Sequence, residues 1–192
     1  KEEEAQFDAA LNMTLKTIEF AREREAIPFA VFKPTGFGRL ALYEKVGDKA
    51  HLTENEQKEW NRVIERFDIA CKTAFEKDVL LLIDAEESWM QDAADAIVTD
   101  MMRKYNKQKA IVFNTLQMYR WDRLDYLKNL HEQAKVEGFY IGMKLVRGAY
   151  MEKENERAAE RGQKSPICES KEATDINYDA AVSYMVEHLD IM

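Results

Sequence analysis

The chain has 192 residues, 46% of them hydrophobic and 33% charged, with a net charge of −8. That length and balance suit one soluble globular domain with a sizeable core. The acidic surplus argues against a nucleic-acid partner, which needs a basic surface, but leaves room for a local cationic pocket.

No apolar run approaches the roughly 20 residues that span a bilayer, so no transmembrane segment is expected. The opening Lys1-Glu2-Glu3-Glu4 is followed by no apolar signal segment. Cys71 and Cys168 form no disulfide framework and fit a reducing compartment. His51, His131 and His188 lack metal-ligand spacing, so no metal site is expected.

In chain order, Phe7, Leu11, Leu15 and Ile18 make the apolar stripe of a first helix. Phe29-Ala30-Val31-Phe32 reads as a strand. Gly36-Phe37-Gly38-Arg39-Leu40-Ala41 matches a dinucleotide-binding pattern, but the acid that pattern needs about 20 residues later at the end of the next strand is absent, the next strand-end acid being the distant Asp84, so a glycine-rich loop is the better reading. Thr53 and Glu56 have capping-box spacing ahead of a helix carrying Trp60, Val63, Ile64, Phe67, Cys71, Ala74 and Phe75. Val79-Leu80-Leu81-Leu82-Ile83 is a second strand, and Ser88 with Gln91 is a second capping box.

Ala110-Ile111-Val112-Phe113 is a third strand, followed by a helix through Leu124, Leu127, Leu130 and Ala134. Ile141-Gly142-Met143-Lys144-Leu145-Val146 is a fourth. The run Glu152-Lys153-Glu154-Asn155-Glu156-Arg157 reads as a solvated, salt-bridged surface. Ile176, Ala180, Tyr184 and Met185 mark the last helix, and Asp190-Ile191-Met192 is compatible with the start of another strand.

Strands without clean alternation, separated by helices, predict a parallel sheet buried on both faces. The two candidate folds are an open doubly wound sheet and a closed eight-stranded barrel. A closed barrel takes about 250 residues, so four strands amount to an incomplete barrel, one partial domain spanning residues 1–192.

In both folds ligands bind at the C-terminal ends of the strands. The four runs end in Lys33-Pro34-Thr35-Gly36, Asp84-Ala85-Glu86-Glu87, Asn114-Thr115-Leu116-Gln117 and Arg147-Gly148-Ala149-Tyr150. Lys33 and Asp84 end adjacent strands and are placed to pair. Lys144 lies inside its strand pattern and must snorkel out or meet an anion. Glu86-Glu87 reads as acids at a helix N-terminus rather than as a glycosidase pair, which needs two facing carboxylates.

These segments resemble the FAD-dependent proline dehydrogenases of bacterial type, whose catalytic domain is a distorted (β/α)8 barrel. Lys144-Leu145-Val146-Arg147-Gly148-Ala149-Tyr150 carries most of the likeness. Phe32-Lys33-Pro34-Thr35, Ile83-Asp84-Ala85-Glu86-Glu87, Asn114-Thr115-Leu116-Gln117-Met118-Tyr119 and Lys171-Glu172-Ala173-Thr174 fall in the family order.

The resemblance implies oxidation of L-proline to pyrroline-5-carboxylate, the first step of proline catabolism, with hydride transfer to FAD. It implies that Lys33, Asp84, Leu145 and Tyr150 border the proline pocket. Gln117 would hydrogen-bond the flavin ring, and Lys144 would lie beside flavin N5. Arg147, Gly148 and Ala149 would hold the phosphates, and Ser170 would sit near the cofactor. It further implies a quinone acceptor and a cytoplasmic protein peripheral to the inner face of the membrane.

The adjacent arginine pair with which the family clamps the proline carboxylate does not occur in this sequence, and the family's first strand would lie upstream of Lys1. The chain is therefore expected to be inactive alone and to self-associate through open sheet edges. A class I aldolase, with Lys33 or Lys144 forming a Schiff base, is the alternative enzyme, and an inactive scaffold fragment is the non-enzymatic reading.

Overall fold

The computed structural model describes residues 2–192. Four strands, β1 (Phe29–Phe32), β2 (Leu80–Ile83), β3 (Val112–Gln117) and β4 (Gly142–Val146), form one parallel sheet in the order β1-β2-β3-β4. The expected strands are thus all present, each within two residues of its predicted start.

The helices are α1 (Glu2–Arg22), α2 (Leu40–Gly47), α3 (Glu54–Glu76), α4 (Ser88–Tyr105), α5 (Arg123–Glu137), α6 (Met151–Glu160) and α7 (Lys171–Val186), with one 3-10 turn at Pro34–Gly36. Two helices therefore separate β1 from β2, and two follow β4. The short α2 escaped the pattern because it has eight residues and buries only Leu42 and Tyr43. The charged run 152–157 lies on α6 and is largely the solvated, salt-bridged surface expected, except that Glu154 is buried. Asp190-Ile191-Met192 forms no strand, although the Ile191 carbonyl accepts a hydrogen bond from the Ile141 amide at 2.8 Å.

The helices cover one face of the sheet. Ala30, Phe32, Leu81, Ile83 and Val112 pack there with Phe37, Phe67, Met90 and Met102 in the main core. Because side chains alternate along a strand, the intervening residues point the other way. Val31 on that second face is 46% exposed while Leu82, Thr115 and Gln117 are buried there, so the expected burial on both faces is full on the helix side and partial on the other. There Phe29 and Phe113 meet edge to face across β2, with ring centres 5.1 Å apart. Gly142 is needed at the start of β4, since a Cβ would come within 2.6 Å of the Phe113 ring.

Helix ends use the polar residues differently from their spacing. Thr53 and Glu56 form the predicted reciprocal capping box. Ser88 and Gln91 do not: Glu87 is the N-cap of α4, Ser88 is already helical, and Gln91 Nε2 donates to Asp95 at 2.8 Å. The α7 stripe is also rotated from expectation. Ile176 is 71% exposed, while Thr174 and Ala181 are buried.

Three buried polar centres fasten the layers. Arg66, 4% exposed, binds Glu4 and Asp8 of α1 and donates to the Phe37 carbonyl. Asn106 uses its amide to bond the backbone of Ile111, Val112 and Tyr140 beneath β3 and β4. Asp95 of α4 accepts from Asn114 of β3 at 2.8 Å and pairs with Arg123 of α5 at 2.7 Å, both charged side chains being nearly inaccessible.

Removing one partner of a buried pair strands the other charge. Asp95→Ala in the full-length protein should therefore cost about 3–5 kcal/mol, whereas Thr53→Ala should cost about 1 kcal/mol, the usual worth of an N-cap. Urea denaturation of both variants checks the ordering, and equal losses would contradict it.

Candidate active site

The strand register brings the polar ends to one level. Phe32 is paired with Ile83, so Lys33 and Asp84 leave β1 and β2 side by side, and Thr115 is paired with Lys144 across β3 and β4. A cleft of about 250 Å³ opens here, lined by Lys33, Asp84, Thr115, Gln117, Tyr119, Lys144, Ala149 and Tyr150 among others. A larger groove of about 420 Å³, walled by Trp121, Leu124, Ile167 and Ile176, lies against α5 and α7 and has none of the strand-end ionic groups. Chemistry rather than volume therefore selects the smaller cleft.

Asp84 is the centre of the cleft. Its Oδ2 lies 3.5 Å from Lys33 Nζ, as the adjacent strand ends predict. The tighter partner is Lys144, whose Nζ donates to Oδ1 at 2.5 Å. Lys144 reaches Asp84 across the small Thr115 of the intervening strand, whose hydroxyl donates to the Ile83 carbonyl at 2.9 Å. The in-strand lysine thus meets its anion inside the cleft.

Burial pushes the Asp84 carboxyl up, but the hydrogen bond and charge of Lys144, with Lys33, outweigh it and leave Asp84 below the usual carboxylate range. Burial likewise pulls Lys33 down, but the Tyr150 hydroxyl and the Asp84 and Glu86 charges reverse this and raise it. Lys33 also lies 3.3 Å from the Tyr150 hydroxyl.

Gln117 is buried at the end of β3. Its amide nitrogen donates to the Glu86 carbonyl at 2.6 Å and to the Tyr119 hydroxyl at 2.8 Å. Its Oε1 is buried with no hydrogen-bond partner. A buried orphan acceptor costs free energy and marks where a ligand N–H would be satisfied.

Tyr150 adopts φ of 53°, the left-handed region, at the N-cap of α6. For a non-glycine residue that costs of order 1–2 kcal/mol and is held by its surroundings.

Six of the ten residues singled out in the sequence thus line the cleft, namely Lys33, Asp84, Gln117, Lys144, Ala149 and Tyr150. Four do not. Leu145 follows Lys144 and so points to the opposite face, where it packs with Leu116, Met118 and Leu127, rather than walling the pocket. Arg147 is half-exposed and turned toward α7, where it pairs with Asp175 at 3.1 Å and covers the Tyr178 ring. Gly148 is exposed on the loop. Ser170 is the N-cap of α7, its hydroxyl accepting from the Ala173 amide.

Two acids read from the sequence as helix-terminal and surface groups complete the rim. Glu86 is buried, and its carboxylate accepts from the Thr35 amide and hydroxyl, both at 2.9 Å, tying the β1 loop to the β2 loop. Glu154 of α6 accepts from the Ser88 amide and hydroxyl, both at 2.6 Å, tying the β4 loop to α4. Their burial and partners were not legible, because an acid in a charged run has the same pattern whether it is exposed or buried.

Residues 1–192 match the family described as Proline dehydrogenase. The carbapenem antibiotics biosynthesis protein CarD of Pectobacterium carotovorum subsp. carotovorum is 36% identical over 189 residues, 98% of this chain and 49% of that protein. Mitochondrial proline dehydrogenase 1 of Homo sapiens is 39% identical over 140 residues, 73% of this chain and 23% of that protein. The chain therefore spans about half or less of the length of these curated relatives.

Among solved structures, proline utilization A (PutA) from Bdellovibrio bacteriovorus inactivated by N-propargylglycine superposes with a TM-score of 0.82 at 18% identity, over 98% of this chain and 20% of that chain. That likeness concerns the fold, and it places the four parallel strands within a (β/α)8 barrel architecture. With family match, architecture and strand-end residues in agreement, the chain belongs to the proline dehydrogenase family.

Proposed function

We propose that this chain supplies the substrate and cofactor rim of an enzyme that oxidises L-proline to pyrroline-5-carboxylate with FAD. The observation that carries the reading is the buried, unpartnered Oε1 of Gln117, a residue that lines the cleft holding the Lys33–Asp84–Lys144 triad. An acceptor of this kind fits an N–H of a flavin ring, and Lys144 fits its electron-rich edge. Arg147, Gly148 and Ala149 would hold the phosphates, with Ser170 nearby.

When bound, FAD supplies the hydride acceptor. The chain's own residues bind and orient. Asp84 holds both lysines in place, Tyr150 closes one side of the cleft, and Lys33 holds the Tyr150 hydroxyl. The lysines also speak against a Schiff-base lyase, which needs an amine free to attack a carbonyl. Lys33 is tied to Asp84 and to the Tyr150 hydroxyl, and Lys144 is bound to Asp84.

A quinone acceptor, a cytoplasmic position at the inner face of the membrane and self-association through the edges of β1 and β4 belong to the same proposal. Among the described residues no helix is long and apolar enough to cross a membrane.

In the full-length protein, Gln117→Ala and Arg147→Ala should each lower the flavin content of purified enzyme, read from its visible absorbance. Unchanged flavin in both would remove the cofactor assignment. Asp84→Ala should lower turnover with proline by about 10²-fold through misplacement of the lysines, with a smaller loss of flavin. Normal turnover would make the triad purely structural.

The titration of the triad is a separate check. The Asp84 carboxyl, followed by NMR, should titrate below its ordinary value of 3.8, and Lys144→Met should move it up. A depressed carboxyl stabilises the fold above its unfolded pKa, and the effect is lost as pH falls through the folded one. A raised lysine stabilises below its unfolded pKa, and the effect is lost as pH rises through the folded one. The triad's contribution should thus be flat between about pH 5 and pH 9 and fall on both sides, which thermal midpoints of wild type and Asp84→Ala would reveal.

A further inference from the structure

We propose that Glu154 is a positioning residue that holds Tyr150 in the cleft; this rests on the reading of the cleft as the proline site. Glu154 lies one helical turn after Tyr150, and its amide donates to the Tyr150 carbonyl at 2.9 Å. Its side chain is 3% exposed, and both carboxylate oxygens are committed to Ser88. Ser88 opens α4, where free amides and the positive end of the helix dipole favour an anion. It also stands four residues after Asp84. A buried acid on the β4 side is thus bound to the loop that carries the centre of the cleft.

Tyr150 needs such a restraint. Its left-handed backbone persists only where surrounding contacts over-determine it. Its own contacts in the cleft are to one lysine that is 49% exposed, a hydrogen bond of 3.3 Å and an ammonium 5.9 Å from its ring centre. The remaining restraints come from α6: Glu154 to Ser88, Lys153 to Glu87, and Arg157 to Glu44 with its guanidinium over the Trp89 ring. Lys153 is 56% exposed and Arg157 25% exposed, so water competes for both. The double contact of Glu154 is charge-assisted and shielded, and it sets the seat of the first turn of α6.

The test is made on the full-length protein. Glu154→Ala should raise KM for proline about tenfold while kcat and flavin content stay near wild type. Glu154→Gln, which still accepts from the Ser88 amide and donates to the Ser88 hydroxyl, should restore KM. A folded but less stable Ala variant with wild-type KM would overturn the proposal. If the Ala variant does not fold, Ser88→Ala removes only the hydroxyl contact, and an unchanged KM there would overturn it equally.

A ¹⁹F resonance from 3-fluorotyrosine at position 150 reads the same coupling without turnover. It should move in Glu154→Ala, or in Ser88→Ala where that variant is used, and return in Glu154→Gln. An unmoved resonance refutes the positioning role. Failure of the wild-type enzyme to oxidise proline would instead refute the proposed function, and the fluorine signal would still decide the role of Glu154.

Discussion

The cleft depends on one register. Parallel pairing of Phe32 with Ile83 sets Lys33 beside Asp84, and pairing of Thr115 with Lys144 sets the second lysine across from the same carboxylate. Because side chains alternate with a period of two, a slip of one residue would send Asp84 or Lys144 into the apolar layer beneath the helices. There an unpaired charge costs several kcal/mol. The apolar residues that bind the helices therefore enforce the geometry of the ionic groups, and core packing and site assembly are two faces of the same pairing.

The loops above the strands have no such ladder to hold them. The structure joins them with buried carboxylates that accept from backbone amides and hydroxyls of another loop. Glu86 grips Thr35, and Glu154 grips Ser88. Each acid satisfies donors that would otherwise be stranded at a helix or turn N-terminus, which is why the charge is tolerated at low exposure. These two contacts link the loops after β1, β2 and β4 into a continuous rim, and Gln117 joins β3 to it through the Glu86 carbonyl.

Below the rim, the Asp95–Arg123 pair serves a different end. It lies among α4, β3 and α5, on the side of the sheet away from the cleft, and Asn114 and Gln91 fill the remaining demand of Asp95. Alternate residues of β3 thus face different surroundings: Asn114 turns outward to the helices, while Thr115 and Gln117 turn to the cleft. A substitution on one face is accordingly expected to leave the other in place.

The strands, the parallel class and the level of the rim were legible in the sequence, because apolar runs that end in charged or amide residues are local patterns. Lys33, Asp84 and Gln117 were found for that reason. Local pattern also predicted the Thr53–Glu56 box, whose partners are three residues apart. What it did not determine was any contact made across the fold. Lys144 as the closer partner of Asp84 depends on a small residue in an intervening strand. Leu145 left the pocket because alternation is counted from where the strand begins, and Arg147 found partners on a helix more than twenty residues away. Glu86 and Glu154 look like any surface acid until the loops close over them. Sequence alone specified which groups arrive at the strand ends; tertiary structure decided which of them are buried and paired, because desolvation and long-range pairing exist only once the chain has folded.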